Sequence, residues 1–350
     1  MKQVSLDSFV SEWKEKLSGI WDKEIFSVYI ANPFCKRKCK FCLYRSTLVS
    51  DELYHRYYNI YLPSMIQKLE EVLSLKVPDT FYFGGGTASL MTCDTMQKTF
   101  DLLPNLDASK SKSFEANPTS LSKEKIDVLA AYGFTELSLG VQTFCADTLK
   151  QQDRESIDIW VLSELVDYAT SKGIFVNVDL LTYYESSSSE YINLLSEDLD
   201  IVSRCINPGK ITVYPKYETY WGSTEEDKIQ QIKKLRHAIK EFTDRSGYFI
   251  NSELLETEND RSILAFGILD YHIYNSKCRV NAPRLRYNCS GPGYIRNYQN
   301  VIGLGGYGLQ IPYSYIWNKK QWHIANCNWQ MVILEDQFNS KDSPAQYLNL

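Results

Sequence analysis

The chain has 350 residues and a mass of 40.5 kDa, enough to bury the core of one large α/β domain or of a domain with an appendage. Its 38 Lys and Arg against 43 Asp and Glu give a net charge of −5, which provides no electrostatic basis for binding a nucleic acid or an anionic membrane. No apolar stretch is long enough to span a bilayer, and the N-terminus lacks the apolar core of a secretory signal, so we expect a cytoplasmic protein.

Strands and helices alternate along most of the chain, after a short amphipathic helix that we predict at residues 8–18. The strands are predicted at 26–31, 79–83, 112–116, 135–140, 174–180 and 210–214. The main helices are predicted at 51–75, 93–103, 120–132, 157–172, 189–204 and 224–243. Six successive β–α units predict parallel strands joined by right-handed crossovers.

The predicted fold class is therefore α/β, with two units fewer than a closed (β/α)8 barrel contains. From about residue 246 the alternation gives way to short strands, Pro and Gly turns and many aromatic residues. We divide the chain into a helical lead-in (1–25), an α/β core (26–245) and a C-terminal α+β appendage (246–350) that packs over the core.

Three cysteines with the spacing C-x3-C-x2-C follow the first predicted strand, at Cys35, Cys39 and Cys42. Three thiolates so close together can bind one face of an iron–sulfur cube and leave its fourth iron open to a small molecule. A structural zinc site needs four ligands, and the nearest later candidates, His55 and Cys93, do not form a second short pair. A disulfide is disfavoured because the nine cysteines are an odd number and no secretory signal precedes them.

A glycine triplet, Gly84–Gly86, ends the second predicted strand and is followed by Thr87. Glycines at the carboxyl end of a strand let backbone groups approach a ligand closely. Taken alone, such a triplet is most often only a turn. Its position one strand after the cysteine run makes it more specific.

The cysteine run and the glycine triplet belong to an ordered set of motifs. The set reads Tyr29-x3-Pro33-Phe34-Cys35, Gly84-Gly-Gly-Thr87, Glu115, Gly140-Val-Gln-Thr-Phe144, Arg154 and Asp179. It resembles the radical S-adenosylmethionine (SAM) superfamily, and within it the branch of oxygen-independent coproporphyrinogen III oxidases, over about residues 26–218. The segment 302–308, with four glycines, resembles a downstream motif of that branch more weakly. The resemblance implies a partial (β/α)6 barrel.

The same resemblance implies a [4Fe–4S] cluster on the three cysteines and two bound SAM molecules. The residues implied for the cluster-bound SAM are Tyr29, Gly85, Glu115 and Leu309, and those for the second SAM are Phe41, Gly86, Thr87, Gln142, Arg154 and Asp179. Carboxylates accept hydrogen bonds from ribose or ammonium groups, and a guanidinium offers a planar fork to a carboxylate. Taken singly, a charged residue at a strand end is more often paired or solvated than functional.

Departures from the oxidase pattern point to another reaction within the branch. Tyr44 stands where the oxidase has a further Cys, the chain begins only about 25 residues before the first strand, and residues 181–185 replace a Gly-Leu-Pro turn after Asp179. These departures favour a class C methyltransferase or cyclopropanase that delivers a one-carbon unit to an sp2 carbon of a small molecule. Oxidative decarboxylation of a porphyrinogen and haem chaperoning are the alternatives that the same branch implies.

Four basic residues surround the cysteine ligands: Lys36, Arg37, Lys38 and Lys40. They are interpreted either as a docking face for an acidic electron donor of the flavodoxin or ferredoxin type, or as an ordinary solvated loop.

Overall fold

The computed structural model describes residues 2–4, 10–11, 14–15, 26–42, 46–182, 190–215, 225–250, 271–278, 300–304, 313–316 and 330–334. Twelve strands of this part of the chain form one sheet. In spatial order they are β1 (Lys2–Val4), β14 (Gln330–Leu334), β13 (Tyr313–Ile316), β12 (Asn300–Leu304), β2 (Phe26–Asn32), β5 (Thr80–Gly85), β6 (Ser111–Ala116), β7 (Glu136–Gln142), β8 (Phe175–Thr182), β9 (Lys210–Pro215), β11 (Tyr271–Asn275) and β10 (Tyr248–Ile250). Two short strands, β3 (Phe34–Cys35) and β4 (Thr47–Leu48), pair separately.

The six central strands β2, β5, β6, β7, β8 and β9 are parallel neighbours, as the sequence predicts. Their apolar residues alternate with polar or aromatic ones, and those of β2 illustrate the pattern. Phe26, Val28 and Ile30 are fully buried, whereas Ser27 and Tyr29 point to the opposite face. One face of the sheet therefore packs against helices, and the other encloses the interior of the partial barrel.

The helices follow the strands in the predicted order. They are α1 (Asp51–His55), α2 (Leu62–Leu75), α3 (Cys93–Leu102), α4 (Lys123–Ala131), α5 (Ala146–Gln151), α6 (Ile159–Ser171), α7 (Glu190–Ile201) and α8 (Glu225–Ser246). A π-helical stretch (Arg56–Tyr61) joins α1 to α2, another (Val202–Ile206) extends α7, and 3-10 turns lie at Ala88–Leu90, Pro118–Ser120 and Ser276–Cys278. Within these described ranges, no helix is long and apolar enough to cross a membrane.

Local sequence explains where several helices begin. The side chains of Ser50, Thr92, Ser122 and Asp158 accept backbone hydrogen bonds at the first turns of α1, α3, α4 and α6. The helix predicted at 8–18 is described only at residues 10–11 and 14–15, which are helical. The six-residue helix α5 was not predicted because it is too short to carry an apolar repeat.

Strands from beyond residue 246 extend the barrel sheet at both edges. β12 pairs in parallel with β2, and β11 pairs antiparallel with β9. The predicted helical lead-in contains a strand as well, because β1 pairs with β14. The domain boundaries near residues 25 and 245 stay predictions.

Candidate functional site

The cysteine loop leaves the sheet at the carboxyl end of β2. The amide N of Thr47 donates to the carbonyl O of Pro33 at 2.8 Å, and the amide N of Val49 donates to the carbonyl O of Cys35 at 3.0 Å. These two bonds bring the segment after the loop back beside the segment before it. The loop is thereby closed at its base and placed at the same edge of the barrel where the central strands end.

The three cysteine side chains are half-buried, and none of them is in a disulfide. Two polar side chains from other parts of the barrel reach them: Thr87 Oγ1 lies 3.5 Å from Cys35 Sγ, and Arg154 Nη1 lies 3.8 Å from Cys39 Sγ. Hydrogen bonds of this kind stabilise a thiolate and tune the potential of a cluster that it binds. Cys42 completes the set.

The fit of this set to a [4Fe–4S] cluster rests on donor type and spacing. No group of three or more His, Cys, Asp or Glu side chains in the described ranges is arranged around a metal position. Three thiols on one short, half-buried loop are the ligand type that iron–sulfur clusters use. We therefore expect cluster binding to draw the three sulfurs together.

The glycine triplet packs directly against the backbone that leads into the cysteine loop. A Cβ atom on Gly86 would lie 2.5 Å from the carbonyl O of Phe34, and one on Gly85 would lie 2.9 Å from the carbonyl O of Asn32. Gly85 also has a φ of +108°, a conformation that other residues rarely adopt. A Cβ on Gly84 would meet a carboxylate oxygen of Glu115 at 2.5 Å. The triplet is required here for contact within the protein, in addition to any ligand contact.

Glu115 lies on β6 beside the glycine triplet. Tyr82 donates a hydrogen bond to its Oε1, and the amide N of Gly85 donates to Oε2 at 3.2 Å. Burial raises the pKa of Glu115 to about 7; the bond from Tyr82 opposes this rise and the nearby charge of Asp179 adds to it. The Tyr29 ring stacks on that of Tyr82, with centroids 5.5 Å apart. Three residues implied for the cluster-bound SAM thus adjoin on neighbouring strands.

Asp179 lies on β8 and is held by three side-chain hydrogen bonds, one of them from Tyr214. Ser138 Oγ donates to Oδ2 at 2.6 Å, and Asn177 Nδ2 donates to Oδ1 at 2.7 Å. Burial raises the pKa of Asp179 to about 6, although the three hydrogen bonds and the positive charge of Lys210 oppose the rise. The carboxyl group is therefore fixed in orientation and able to carry a proton near neutral pH.

A polar network inside the barrel extends from Asp179 and was missed in the sequence. Thr212 Oγ1 donates to Asn177 Oδ1 at 2.8 Å and lies 3.4 Å from His272 Nδ1 on β11. Lys210 is only 2% exposed and lies two residues before Thr212 on the same strand face. The sequence did contain a signal for this network. Polar residues stand at every second position of these strands, whereas buried parallel strands are usually apolar on both faces.

Gln142 ends β7 in an unusual conformation. Its φ is +78°, and the pairing register of β7 with β8 shifts between Gly140 and Gln142. Its Oε1 is buried and has no hydrogen-bond partner among the described residues, a state that costs about 1–3 kcal/mol. Backbone strain and an unpaired buried acceptor at one residue mark a place where a ligand is expected.

Arg154 connects the Gln142 turn to the cysteine loop. Its Nη2 donates to the carbonyl O of Gly140, while Nη1 approaches Cys39 Sγ. A Cβ on Gly140 would lie 2.7 Å from Gln142 Nε2, so the glycine also leaves room for the glutamine side chain. The guanidinium contacts protein atoms here, and its predicted contact with a SAM carboxylate stays a prediction.

The remaining predicted site residues divide by location. Phe41 is half-buried within the cysteine loop, and Gly86 and Thr87 follow β5. Leu309 and Tyr44 lie outside the described residues. Nine of the ten predicted SAM-contact residues are described. Eight lie on β2, β5, β6, β7 and β8 or in the segments that follow β2 and β5, and Arg154 follows α5 and approaches Cys39. The tenth, Leu309, falls in an undescribed segment.

The buried carboxyl groups predict an unusual pH dependence of stability. Burial raises the pKa of Glu115 to about 7 and those of Asp179 and Asp198 to about 6, so the folded protein binds more protons than the unfolded chain between about pH 4 and pH 7. We expect the free energy of unfolding of the cofactor-free protein to fall as pH rises through this window. Glu115 alone should contribute about 3 kcal/mol at most.

Urea unfolding of the cofactor-free protein at pH 5, 6, 7 and 8 measures this dependence. Glu115→Gln should reduce the slope, because the amide does not titrate. Asp127→Asn is the control, since Asp127 is paired with Lys172 at the surface and its pKa is lowered, so it titrates below the window. Stability that stays constant or rises from pH 5 to pH 7 would contradict the assignment.

Comparison with known proteins shows which family the chain resembles. Residues 29–195 match the family model of the Radical SAM superfamily. The heme chaperone HemW of Buchnera aphidicola is 29% identical over 285 residues, which cover 80% of this chain and 68% of that relative. HemW of Bacillus subtilis is 27% identical over 197 residues, 52% of this chain and about half (51%) of that relative. The oxygen-independent coproporphyrinogen III oxidase of Paracoccus denitrificans is 30% identical over 165 residues, 44% of this chain and 35% of that relative.

These relatives contradict the expectation of methyl transfer or cyclopropanation, because they are heme chaperones and coproporphyrinogen oxidases. The expectation rested on departures from the oxidase pattern, among them Tyr44 and residues 181–185. Tyr44 and residues 183–185 lie outside the described residues, whereas residues 181 and 182 end β8. A departure from a family's motif shows where the chain differs and not which substrate it takes, so these departures were a poor guide to the reaction.

The fold agrees with that of a solved structure. Coproporphyrinogen III oxidase (HemN) from Escherichia coli superposes with a TM-score of 0.62 at 18% identity, covering 89% of this chain and 70% of that chain. This likeness confirms the predicted α/β class and the partial barrel of six parallel strands. With the family match over residues 29–195 and the three-cysteine loop at the barrel edge, this part of the chain belongs to the radical SAM superfamily.

Proposed function

We propose that this chain is an iron–sulfur, SAM-binding protein that acts on a tetrapyrrole, and that its principal role is to bind haem and pass it on, as the name of HemW states for its relatives. The observation that carries the proposal is the alignment with the Buchnera protein. It covers 80% of this chain and 68% of that relative, more than the region that the family model matches. The matches to the coproporphyrinogen oxidases are shorter.

In this proposal Cys35, Cys39 and Cys42 hold a [4Fe–4S] cluster. When bound, the cluster supplies the electron that cleaves SAM reductively. The residues proposed to hold the cluster-bound SAM are Tyr29, Gly85, Glu115 and Leu309. Those proposed for a second SAM are Phe41, Gly86, Thr87, Gln142, Arg154 and Asp179. The strained Gln142 turn and its unpaired Oε1 support the second site most directly.

Oxidation of a porphyrinogen is the second candidate, and the barrel interior favours it. Lys210 and His272 are 2% and 6% exposed and belong to the same strand faces as Asp179 and Thr212. A substrate with several carboxylates requires positive charge in its pocket. The sequence did not show that these two basic residues lie close together, because they are 62 positions apart along the chain. The basic residues near the cysteines are consecutive enough to be recognised as a cluster.

The electron donor is proposed to dock at the cysteine loop. Arg37 forms ion pairs with Asp153 and Glu155, both at 3.3 Å, so its charge is largely offset. Three exposed lysines on the loop carry the remaining positive charge: Lys36, Lys38 and Lys40. An acidic donor of the flavodoxin or ferredoxin type is complementary to this face.

Anaerobic titration of the reconstituted protein with haem tests the principal role. We expect a stoichiometric Soret band, and haem transfer to an apo-haem protein added afterwards. A parallel reaction with coproporphyrinogen III, SAM and dithionite should release little 5′-deoxyadenosine if haem handling is the role. Porphyrinogen-dependent 5′-deoxyadenosine without haem binding would favour the second candidate. If neither tetrapyrrole is bound or converted, the tetrapyrrole proposal is wrong, whereas superfamily membership is unaffected.

A further inference from the structure

The turn that follows Gln142 is anchored to a distant helix. Residues 143–145 connect β7 to α5. The amide N of Phe144 donates to Asp198 Oδ1 at 2.8 Å, and the hydroxyl of Thr143 bonds to the same carboxyl group. Thr143 Oγ1 also accepts a hydrogen bond from the amide N of Cys145 at 3.1 Å. One buried carboxyl group therefore fixes the backbone immediately after the strained residue.

Asp198 comes from α7 and is only 3% exposed. A buried carboxylate is costly unless hydrogen bonds compensate for its desolvation, and burial raises the pKa of Asp198 to about 6. A leucine at this position would pack the helix without that cost. The described hydrogen bonds of the carboxyl group go to the turn, so the carboxyl group fixes the backbone conformation of residues 143–144.

The Gln142 turn is thus held from both sides. Arg154 bonds to the carbonyl O of Gly140 before it, and Asp198 binds Phe144 after it. Between these anchors the backbone of Gln142 has a positive φ, a strained conformation that a freely moving turn would relax. A residue with a side chain keeps such a conformation only when its surroundings enforce it.

We propose that Asp198 is a positioning residue that fixes the Gln142 turn, so that the unpaired Oε1 of Gln142 is presented to a hydrogen-bond donor of SAM. This inference rests on the proposed binding of SAM. The donor is the ammonium group, a ribose hydroxyl or the adenine amino group of SAM, because an amide oxygen only accepts. Asp198 itself does not contact the ligand.

The proposal is tested by equilibrium dialysis of the cluster-reconstituted protein with SAM. The affinity compared is that of the SAM site at which Gln142→Ala weakens binding. Asp198→Leu removes both acceptors at similar volume and should weaken this binding at least about tenfold, as the loss of a charged hydrogen bond predicts. Asp198→Asn keeps an acceptor for the Phe144 amide and should change the affinity less than about threefold. Equal losses in the two variants would overturn the proposal.

A double-mutant cycle separates positioning from general stability. In the Gln142→Ala background, Asp198→Leu should cause no further loss of SAM affinity, although it still lowers the melting temperature. A further tenfold loss there would show that Asp198 does not act through Gln142. Asp200→Asn is the matched control, because Asp200 lies on the same helix but pairs with Arg245 at 2.7 Å. It should leave SAM affinity unchanged.

Thr143→Val provides a second route if Asp198→Leu does not fold. It removes the hydroxyl that bonds to Asp198 and should weaken SAM binding in the wild-type background but not in the Gln142→Ala background. Independence of the affinity from Thr143 and Asp198 overturns this inference and leaves the proposed function standing. Absence of SAM binding by the wild-type protein overturns the proposed function, and this inference with it.

Discussion

Replacing Cys39 with alanine is expected to abolish binding of the iron–sulfur cluster. The three-cysteine loop provides one thiolate for each of three irons, so the loss of one leaves two protein ligands on a cluster that already has an open iron. Cys39 is also the cysteine that Arg154 approaches, at 3.8 Å, so its removal takes away a sulfur whose charge the guanidinium offsets. Iron content after anaerobic reconstitution should fall from about four atoms per chain to a small residue.

The matched control is Cys145→Ala. Cys145 is half-buried like the loop cysteines and lies near the site, but it follows the Gln142 turn rather than belonging to the loop. This variant should retain the full iron content and the visible absorbance of the cluster. Retention of four irons by Cys39→Ala, or equal loss in both variants, would show that the ligand assignment is wrong.

The central fold could be predicted because its signals are local. Each strand of the six-strand core has apolar residues at alternate or successive positions, and the main helix after it is long enough to carry an apolar repeat. The strand β1 (Lys2–Val4) has three residues and is defined only by pairing with β14, more than 300 positions away. Such pairing has no local signature, which is why the first 25 residues were predicted as helical.

The site could be predicted where its chemistry lies within one segment. The spacing of Cys35, Cys39 and Cys42 is visible in eight consecutive residues, and the glycine triplet is equally compact. The Asp198 anchor joins residues 54 positions apart, and the Thr212–His272 contact joins residues 60 apart. Contacts of this kind depend on how the barrel closes, so sequence patterns did not reveal them.

The reaction was predicted wrongly for a related reason. Residues at the strand ends, such as Glu115 and Asp179, are implied for SAM, which every reaction of the branch shares. They identify the superfamily and do not separate methyl transfer from haem or porphyrinogen chemistry. A single departure such as Tyr44 does not separate them either, because its effect on the reaction depends on the side chains around it.

Replacing Gly86 with alanine is expected to disrupt cluster binding almost as severely as the loss of a cysteine. The new methyl group would lie 2.5 Å from the carbonyl O of Phe34 and 2.9 Å from that of Asn32. Both are backbone atoms and cannot rotate away. The segment Phe34–Cys35 must therefore move, or the end of β5 must withdraw and break the 2.6 Å hydrogen bond from the Gly86 amide to Asn32. We expect a loss of about 1–3 kcal/mol in unfolding free energy from this overpacking.

Gly173→Ala separates the effect on the site from the effect on stability. Gly173 has a φ of +82°, and a Cβ atom there would have no other atom within 4 Å. The left-handed conformation alone should lower the stability of this variant by about 1–2 kcal/mol, within the range expected for Gly86→Ala. Because Gly173 is remote from the cysteine loop, its variant should retain iron and SAM binding in full. If Gly86→Ala retains both as well, the packing of β5 against the loop has no part in forming the site. If only Gly86→Ala loses them, the triplet acts by placing Cys35, and the cysteine spacing alone is insufficient to build the cluster site.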